Sequence, residues 1–566
     1  MRFGDAPFVR SQRILYNQFQ ARLDALRVYT TPPCPAWPGV KENALNGDSD
    51  KKRRIGVIDL GSNTGRLIVM EAIPGYAYRL ADEIRELVRL REGMTKKGLS
   101  SAAVERAMFT LRLFKRFCDA THVDTILPTT TSAVREAANG PEFVRRVEQE
   151  TGLRLEILSG EREAYYAMVG TLNEMPMDDG YVIDIGGGSC QICKVRERDL
   201  AEAGSLPLGA LALTERFVEH DPITDAEYEA VRREIEQQLD LLGWLGPADG
   251  ALAGVGGTIR NLAKIEAKRQ NYPLNTLHGF RLSRESVEES IEQFRELPQE
   301  EREEIAGLNE DRADIILPGA MALAAIMDRL EKDCLTISVN GIREGLFLEM
   351  FWQHLPTPII PSVRHFSVLN MARIYQYDKR HATHVRFLAG RLFEQLAPLH
   401  DYGVREREIL EAAALLHDLG TLINYDDHHK HSLDMIINRG LPGYTPRETA
   451  LIALMARYHR KGSPDIDDFE TILNEDDEKV LIRLAAILRL AEYLERGRNG
   501  AVEDVSATWN DNLLRLALIA DIYPAVELWE AERHAVPLVE EAFGRRVRID
   551  SIAAPHDKLD HPAIPT

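Results

Sequence analysis

Cysteine is scarce in this chain, with five in 566 residues. Without a paired framework a disulfide-stapled secreted scaffold is excluded, and a reducing, cytoplasmic setting is expected. Apolar runs are short: none reaches the ~20 residues that span a bilayer. The opening stretch MRFGDAPFVRSQRILYNQF lacks an unbroken apolar segment before a small-residue cleavage site, so neither a membrane span nor a secretory signal is expected. Positive charge is not in excess either. The formal net charge is −20, which argues against the coating of nucleic acid duplexes but leaves room for an anionic substrate in a locally basic channel. What is present is ordinary globular composition, 44% hydrophobic and 28% charged. The chain is too long for one core, so three or four domains are expected.

Residues 55–70 read IGVIDLGSNTGRLIVM. Two β-rich runs flank Asp59-Leu60-Gly61-Ser62-Asn63-Thr64-Gly65, the pattern of a hairpin, and the N–H groups of this small-residue turn can face an anion. A turn of the same kind follows at 182–189 (VIDIGGGS). There consecutive glycines permit close backbone approach, and successive N–H groups form an anion nest. A third strand-to-glycine junction, 252–258 (LAGVGGT), opens a helix with Arg260, Lys264 and Lys268 on one face. That stripe is either a solvated face or a track for a polyanion. Residues 1–54 read as an extension, with helical apolar spacing over 10–27, a Pro-rich stretch over 30–38 and a polar linker.

Between the hairpins lie a helix over 101–118, a strand at 125–127 running into Pro-Thr-Thr-Thr-Ser-Ala-Val-Arg-Glu, and a strand at 154–158 followed by Ser159-Gly160-Glu161-Arg162-Glu163-Ala164. Small hydroxyl residues at a helix start suit anions. Arg135 is either a bidentate phosphate clamp or a surface arginine paired with Glu136 or Glu142. Glu163 falls near a helix N-terminus, just past a strand's carboxyl end. Acidic residues there serve as dipole partners, and catalytic groups also collect there. Cys190 and Cys193 form a CxxC on a strand, so they point to opposite faces and a joint metal or redox role is disfavoured.

The paired DxGS and DxGG hairpins with a later GGT junction resemble the actin-like ATPase superfamily. That resemblance implies an α/β fold of two actin-like (ribonuclease H-like) domains, each with a five-stranded sheet, and phosphates in the cleft between them. Within the superfamily, six strings resemble the exopolyphosphatase/guanosine pentaphosphate phosphohydrolase family: DLGSN (59–63), TSAVRE (131–136), SGEREA (159–164), DIGGGS (184–189), GGTI (256–259) and REGL (343–346). They stand in the family's order. The implied reaction is release of orthophosphate from inorganic polyphosphate or of the 5′ phosphate from guanosine pentaphosphate, with Mg²⁺ or Mn²⁺, by a homodimer. Glu163 matches the general base, and Asp59 and Asp184, with Glu163, surround the cation. Gly61, Ser62, Asn63, Arg135, Gly187, Gly188, Ser189, Gly256, Gly257 and Thr258 match phosphate contacts, and Arg260, Lys264 and Lys268 would guide the chain. The family string DIGGGSTE is DIGGGSCQ here, so Gln191 replaces a glutamate that organises metal and water. An amide oxygen can coordinate but brings no charge. Two readings stand: an active enzyme with weaker metal binding, or a low-activity polyphosphate or nucleotide sensor.

From residue 361 helical periodicity dominates, and nine of the 16 histidines lie between His365 and His459. The string LLHDLG (415–420) and its surroundings resemble an HD-type domain, an all-helical appendage of longer family members. That resemblance implies a second metal set of His384, His417 and Asp418, with Glu492 where the last Asp would be; imidazole with carboxylate suits Mn²⁺, Fe or Zn²⁺. The alternative is a degenerate bundle with leftover histidines. The expected organisation is an extension (1–54), two actin-like domains (55–167 and 168–350), a helical domain (361–500) and a small α+β domain (501–566). The last has strands at 513–519 and 547–549 and a helix at 537–543.

Overall fold

The first hairpin sits near the middle of a five-stranded sheet. Its strands are β1 (Arg53–Leu60), β2 (Thr64–Ile73), β3 (Ala77–Leu87), β4 (Thr125–Thr130) and β5 (Glu156–Ile157), in the order β3-β2-β1-β4-β5. The first three form an antiparallel meander, while β4 runs parallel to β1. Alternation explains why both faces are covered. Val57 and Ile68 enter one core, and Ile58, Leu67 and Val69 enter the other with Phe114 of the helix Ser101–Ala120. The strand expected over 154–158 is only the two residues of β5. These coordinates come from a computed structural model that describes residues 52–247 and 249–553; the helix expected over 10–27 and the linker before residue 52 lie outside the described residues.

The second sheet repeats the plan around β6 (Gly180–Ile185) and β7 (Cys190–Arg196). It adds β8 (Asp199–Leu206), β9 (Ala251–Gly256), β10 (Arg281–Ser283) and β11 (Cys334–Ile337), in the order β10-β11-β9-β6-β7-β8. It therefore has six strands where five were expected. The duplication extends to register: Asp59 lies opposite Arg66 across the first hairpin, and Asp184 lies opposite Gln191 across the second. Each aspartate's strand is flanked on its other side by a parallel strand, β4 or β9. Cys190 and Cys193 occupy different cores, as strand alternation requires.

Two helices join the sheets, Gly160–Leu172 and Ile342–Phe351. They cross closely because glycine leaves room: a Cβ on Gly345 would fall 2.0 Å from the carbonyl oxygen of Tyr166. Phe347 and Phe351 are fully buried with Ile55 and Val57, each such ring contributing roughly 1.5–3 kcal/mol of burial. The chain thus returns to the first sheet after completing the second, and the boundary expected at 167/168 falls inside a helix.

Beyond residue 361 come the helices Val363–Ile374, Lys379–His400, Val404–Leu416, His428–Arg439, Pro446–Tyr458 and Glu475–Leu494. They share one core with a final three-stranded sheet, β12 (Asp504–Trp509), β13 (Leu513–Ile519) and β14 (Arg546–Ser551), which contributes Leu514, Leu516 and Leu518. The helix Val536–Phe543 lies where the sequence indicated; β12 and the helix Ala525–His534 were not anticipated. Among the described residues no helix is long and apolar enough to cross a membrane.

Candidate active site

Both hairpin turns close in the same way. Gly61 N donates to Thr64 O at 3.0 Å, and Gly186 N donates to Ser189 O at 3.0 Å. The turns then face each other. A Cβ on Gly187 would stand 3.0 Å from Cβ of Asn63, and one on Gly188 would stand 2.3 Å from Oγ of Ser132 and 2.4 Å from Oγ of Ser62. No real Cβ fits at the latter position, so glycine is what allows the approach. Ser62 and Ser132 share a hydrogen bond of 3.0 Å across the join. Between the turns lies a cleft whose lining includes Gly61, Ser62, Asn63, Gly187, Gly188, Ser189, Gly256 and Gly257.

Four carboxylates line the cleft, Asp59, Glu163, Asp184 and Glu344. Burial raises Asp59 above the usual carboxylate range, opposed by the cations Arg343 and Arg66. Burial, reinforced by Asp59, pushes Asp184 up to about 6 despite Arg260. Burial likewise pushes Glu163 up to about 7, against the pull of Arg135. Glu344 is different: burial opposes its ionisation, but Arg343 and the Gly341 N–H at 2.8 Å hold it below its ordinary value. Asp59 Oδ1 is buried without a hydrogen-bond partner. Desolvated carboxylates that repel one another, one with an orphaned oxygen, fit a hard divalent cation. Asp59 and Asp184 would hold it, and it would neutralise charge on phosphate oxygens; Glu163, whose oxygens accept from Arg135 and Gln191, is not drawn into a ligand set with them. Gly256, at φ +95°, shapes this corner, since a Cβ there would meet Asp184 Oδ1 at 2.5 Å.

Four arginines line the same cleft, Arg66, Arg260, Arg312 and Arg343. Burial, then repulsion from Arg343 and Arg260, pushes Arg66 down to about 9. Burial also pushes Arg312 down to about 10, and its Nη1 has no partner. A Cβ on Gly257 would fall 2.2 Å from Arg312 Nη2, so the second glycine of the GGT turn is what lets this guanidinium lie against it. Thr258 is fully buried under the turn, its Oγ1 unpartnered. Crowded arginines that disfavour one another's charge are relieved by a bound polyanion.

Glu163 is held from both ends. Arg135 Nη1 donates to its Oε1 and, at 2.6 Å, to the carbonyl of Leu158. Gln191 Nε2 donates to its Oε2 at 3.1 Å and lies 2.8 Å from Ser189 Oγ and 3.1 Å from Ser205 Oγ. Arg135 therefore pairs with Glu163 and not with Glu136 or Glu142. It lines a side cavity rather than the cleft, and Glu136 pairs with Arg91 at 2.7 Å. The cationic stripe also divides. Arg260 lines the cleft, Lys264 lies past it with Nζ 3.4 Å from Asn309 Oδ1, and Lys268 lines a separate cavity with Gln293 and Leu297. Successive turns of a helix advance about 5.4 Å, so cations on one face do not all reach one cleft.

Sequence reasoning missed Arg66, Arg312, Arg343, Glu344 and Ser132. Arg66 directly follows the first turn, and Arg343 and Glu344 open the REGL string, so local signals existed for them. Arg312 arrives from a 3₁₀ turn far along the chain and had none.

In the helical region His417, Asp418 and Glu492 converge, with His417 Nε2 3.1 Å from Glu492 Oε2. His384 does not join them. Its Nε2 lies 2.7 Å from the carbonyl of Val502 and 3.6 Å from Glu495. His381 takes the place, with Nε2 3.0 Å from Glu492 Oε2. Three residues along a helix rotate a side chain by about 60° from its starting face, enough to send His384 elsewhere.

The sequence profile of the Ppx/GppA phosphatase family matches residues 69–354, and that of Ppx/GppA phosphatase, domain III, matches residues 363–532. A guanosine-5′-triphosphate,3′-diphosphate pyrophosphatase of Aeromonas salmonicida is 28% identical over 476 residues, 81% of this chain and 91% of that protein. The solved structure of an exopolyphosphatase from Cytophaga hutchinsonii is 26% identical with a TM-score of 0.50, covering 53% of this chain and 98% of that one. The Aquifex aeolicus Ppx/GppA family member is 29% identical with a TM-score of 0.48, covering 54% and 99%. With the family profile spanning Glu163, the second hairpin and the GGT turn, and the domain III profile most of the helical region, the chain belongs to the Ppx/GppA phosphatase family of phosphoanhydride hydrolases.

Proposed function

We propose that this enzyme hydrolyses the terminal phosphoanhydride bond of inorganic polyphosphate and releases orthophosphate. The observation that carries this reading is the composition of the cleft. Arg66, Arg260, Arg312 and Arg343 line it, and among the described residues no aromatic side chain does. A chain of repeated phosphates engages every one of these cations, whereas a purine would find no ring to stack on.

In this reading Glu163 is the general base. It accepts a proton from a water whose oxygen attacks the terminal phosphorus, and the bridging P–O bond breaks to leave a shortened chain. Gln191 and Arg135 fix the carboxylate's orientation. The turn N–H groups and the arginines stabilise charge on the transferring phosphoryl group without reorganising. A Mg²⁺ or Mn²⁺ ion on Asp59 and Asp184 adds charge neutralisation when bound. The helical region is read as an HD-type bundle, on the His417-Asp418 pair it holds beside Glu492.

A second reading, removal of the 5′ phosphate of guanosine pentaphosphate, is favoured by the similarity to the Aeromonas protein over most of both chains. Initial rates of phosphate release from long-chain polyphosphate and from guanosine pentaphosphate, each with Mg²⁺, separate the two. The expected result is a kcat/KM at least about tenfold higher for polyphosphate, a difference of about 1.4 kcal/mol in transition-state binding. The reverse ratio favours the nucleotide, and no release from either substrate leaves the sensor reading.

A further inference from the structure

The helical region gathers more metal-binding chemistry than the single site its sequence suggested. Two triads converge there, His381, His417 and Asp418, and Asp418, His428 and His459, each with its donor atoms within 4.8 Å of one another. They share Asp418. Its Oδ1 is buried without a hydrogen bond, 3.2 Å from His428 Nε2, 3.7 Å from His459 Nε2 and 3.8 Å from His417 Nε2. Its Oδ2 lies 3.8 Å from His381 Nε2 and accepts from Arg498. Glu492 Oε2 completes the first triad, 3.0 Å from His381 and 3.1 Å from His417.

The outer ring nitrogens determine what the inner ones present. His417 Nδ1 donates to the carbonyl of Ala414 at 2.8 Å, His428 Nδ1 to that of Tyr425 at 2.8 Å, and His459 Nδ1 to that of Ala456 at 2.6 Å. A carbonyl only accepts, so each Nδ1 carries a hydrogen and each neutral imidazole turns a bare Nε2 lone pair inward. His428 and His459 then oppose two lone pairs across 3.2 Å, an arrangement that only a proton or a cation relieves. Protons on His381 and His428 would reach Glu492 and Asp418, but they leave His381 Nδ1 buried without a partner and put like charges side by side in one small buried cluster. Unpaired buried polar groups are costly, and three backbone-oriented imidazoles with two carboxylates are the donor set of a first-row transition ion.

We propose that the helical region holds a two-metal centre for first-row divalent ions, Mn²⁺, Fe²⁺ or Zn²⁺. His381, His417 and Glu492 bind one ion, His428 and His459 bind the other, and Asp418 bridges them through its two oxygens. This centre is separate from the Mg²⁺ site of the cleft and does not depend on the substrate read there.

The test is metal analysis of the protein by mass spectrometry after loading the chelator-stripped chain with Mn²⁺ or Zn²⁺ in a large excess of Mg²⁺, which keeps the cleft site filled, and removing unbound Mn²⁺ or Zn²⁺. About two tightly held equivalents per chain are expected. His459→Gln and His381→Gln are each expected to keep about one, and Asp418→Asn to keep none, while Glu163→Gln retains both. The Mn²⁺-loaded protein should show an exchange-coupled electron paramagnetic resonance signal that His459→Gln converts to that of an isolated ion. His384→Gln keeps both equivalents, which distinguishes this set from the sequence-based one. Circular dichroism identifies any variant that fails to fold, and the native chain alone still decides the matter. Fewer than about 0.2 equivalents in the native protein, or one equivalent unchanged by His459→Gln, overturns the proposal.

Discussion

Gln191 Nε2 donates a hydrogen bond to Glu163 Oε2 across 3.1 Å, from the strand position directly opposite Asp184. The nitrogen of this amide makes Gln191 a donor to the candidate base. Gln191→Glu replaces that donor with a second acceptor. Without divalent cation the variant is expected to lose about 1–3 kcal/mol of stability and to regain more of it on Mg²⁺ addition than the native protein does. Thermal melts with and without Mg²⁺ check this; equal Mg²⁺ responses would contradict it.

Burial pushes Glu163 up to about 7, and Arg135 opposes the rise. A base works only when deprotonated, so kcat/KM should climb with pH through about 7. Arg135→Gln removes the opposing charge, and the acid limb should move to higher pH. The stability sign is opposite to that of a salt-bridged acid. From the ordinary 4.5 up to about 7 the unfolded chain has lost a proton the folded one keeps, so stability falls as pH rises through that window. A pH–rate profile of the two proteins decides; coincident acid limbs would reject the assignment.

Arg66 is pushed down to about 9 by burial and by its arginine neighbours, so its charge is tolerated rather than favoured in the ligand-free cleft. Arg66→Gln should melt at the same temperature or higher without ligand, and lose much of the stabilisation that polyphosphate gives the native protein. KM for polyphosphate should rise roughly 10–100-fold, the loss of one or two charge-assisted hydrogen bonds. A lower melting temperature with an intact ligand response would count against an anion-binding role.

Much of the cleft was legible because its determinants are local. A strand, a small-residue turn and a return strand specify each hairpin within about ten residues, and the glycines mark where the turns must approach. What escaped depends on distant placement. Arg135 and Glu163 meet only after the chain has run through an intervening helix and strand. Arg312 comes in from a 3₁₀ turn. Lys268 was correctly set on the face of Arg260, but its distance from the glycine turn put it outside the cleft. The strands β8 and β10 went unread because they are edge strands, one with exposed acidic residues and one of three residues, and edges carry weak apolar patterning. His381 and His384 both lie on the helix Lys379–His400, and choosing between them required knowing which face meets Glu492.

The most direct measurement is the turnover of Glu163→Gln with long-chain polyphosphate and Mg²⁺, beside polyphosphate binding by the same protein. A cleft organised around Glu163 as general base predicts a fall in phosphate release of about 10²–10⁴-fold, with binding and fold retained. Turnover within about twofold of the native enzyme would contradict that role.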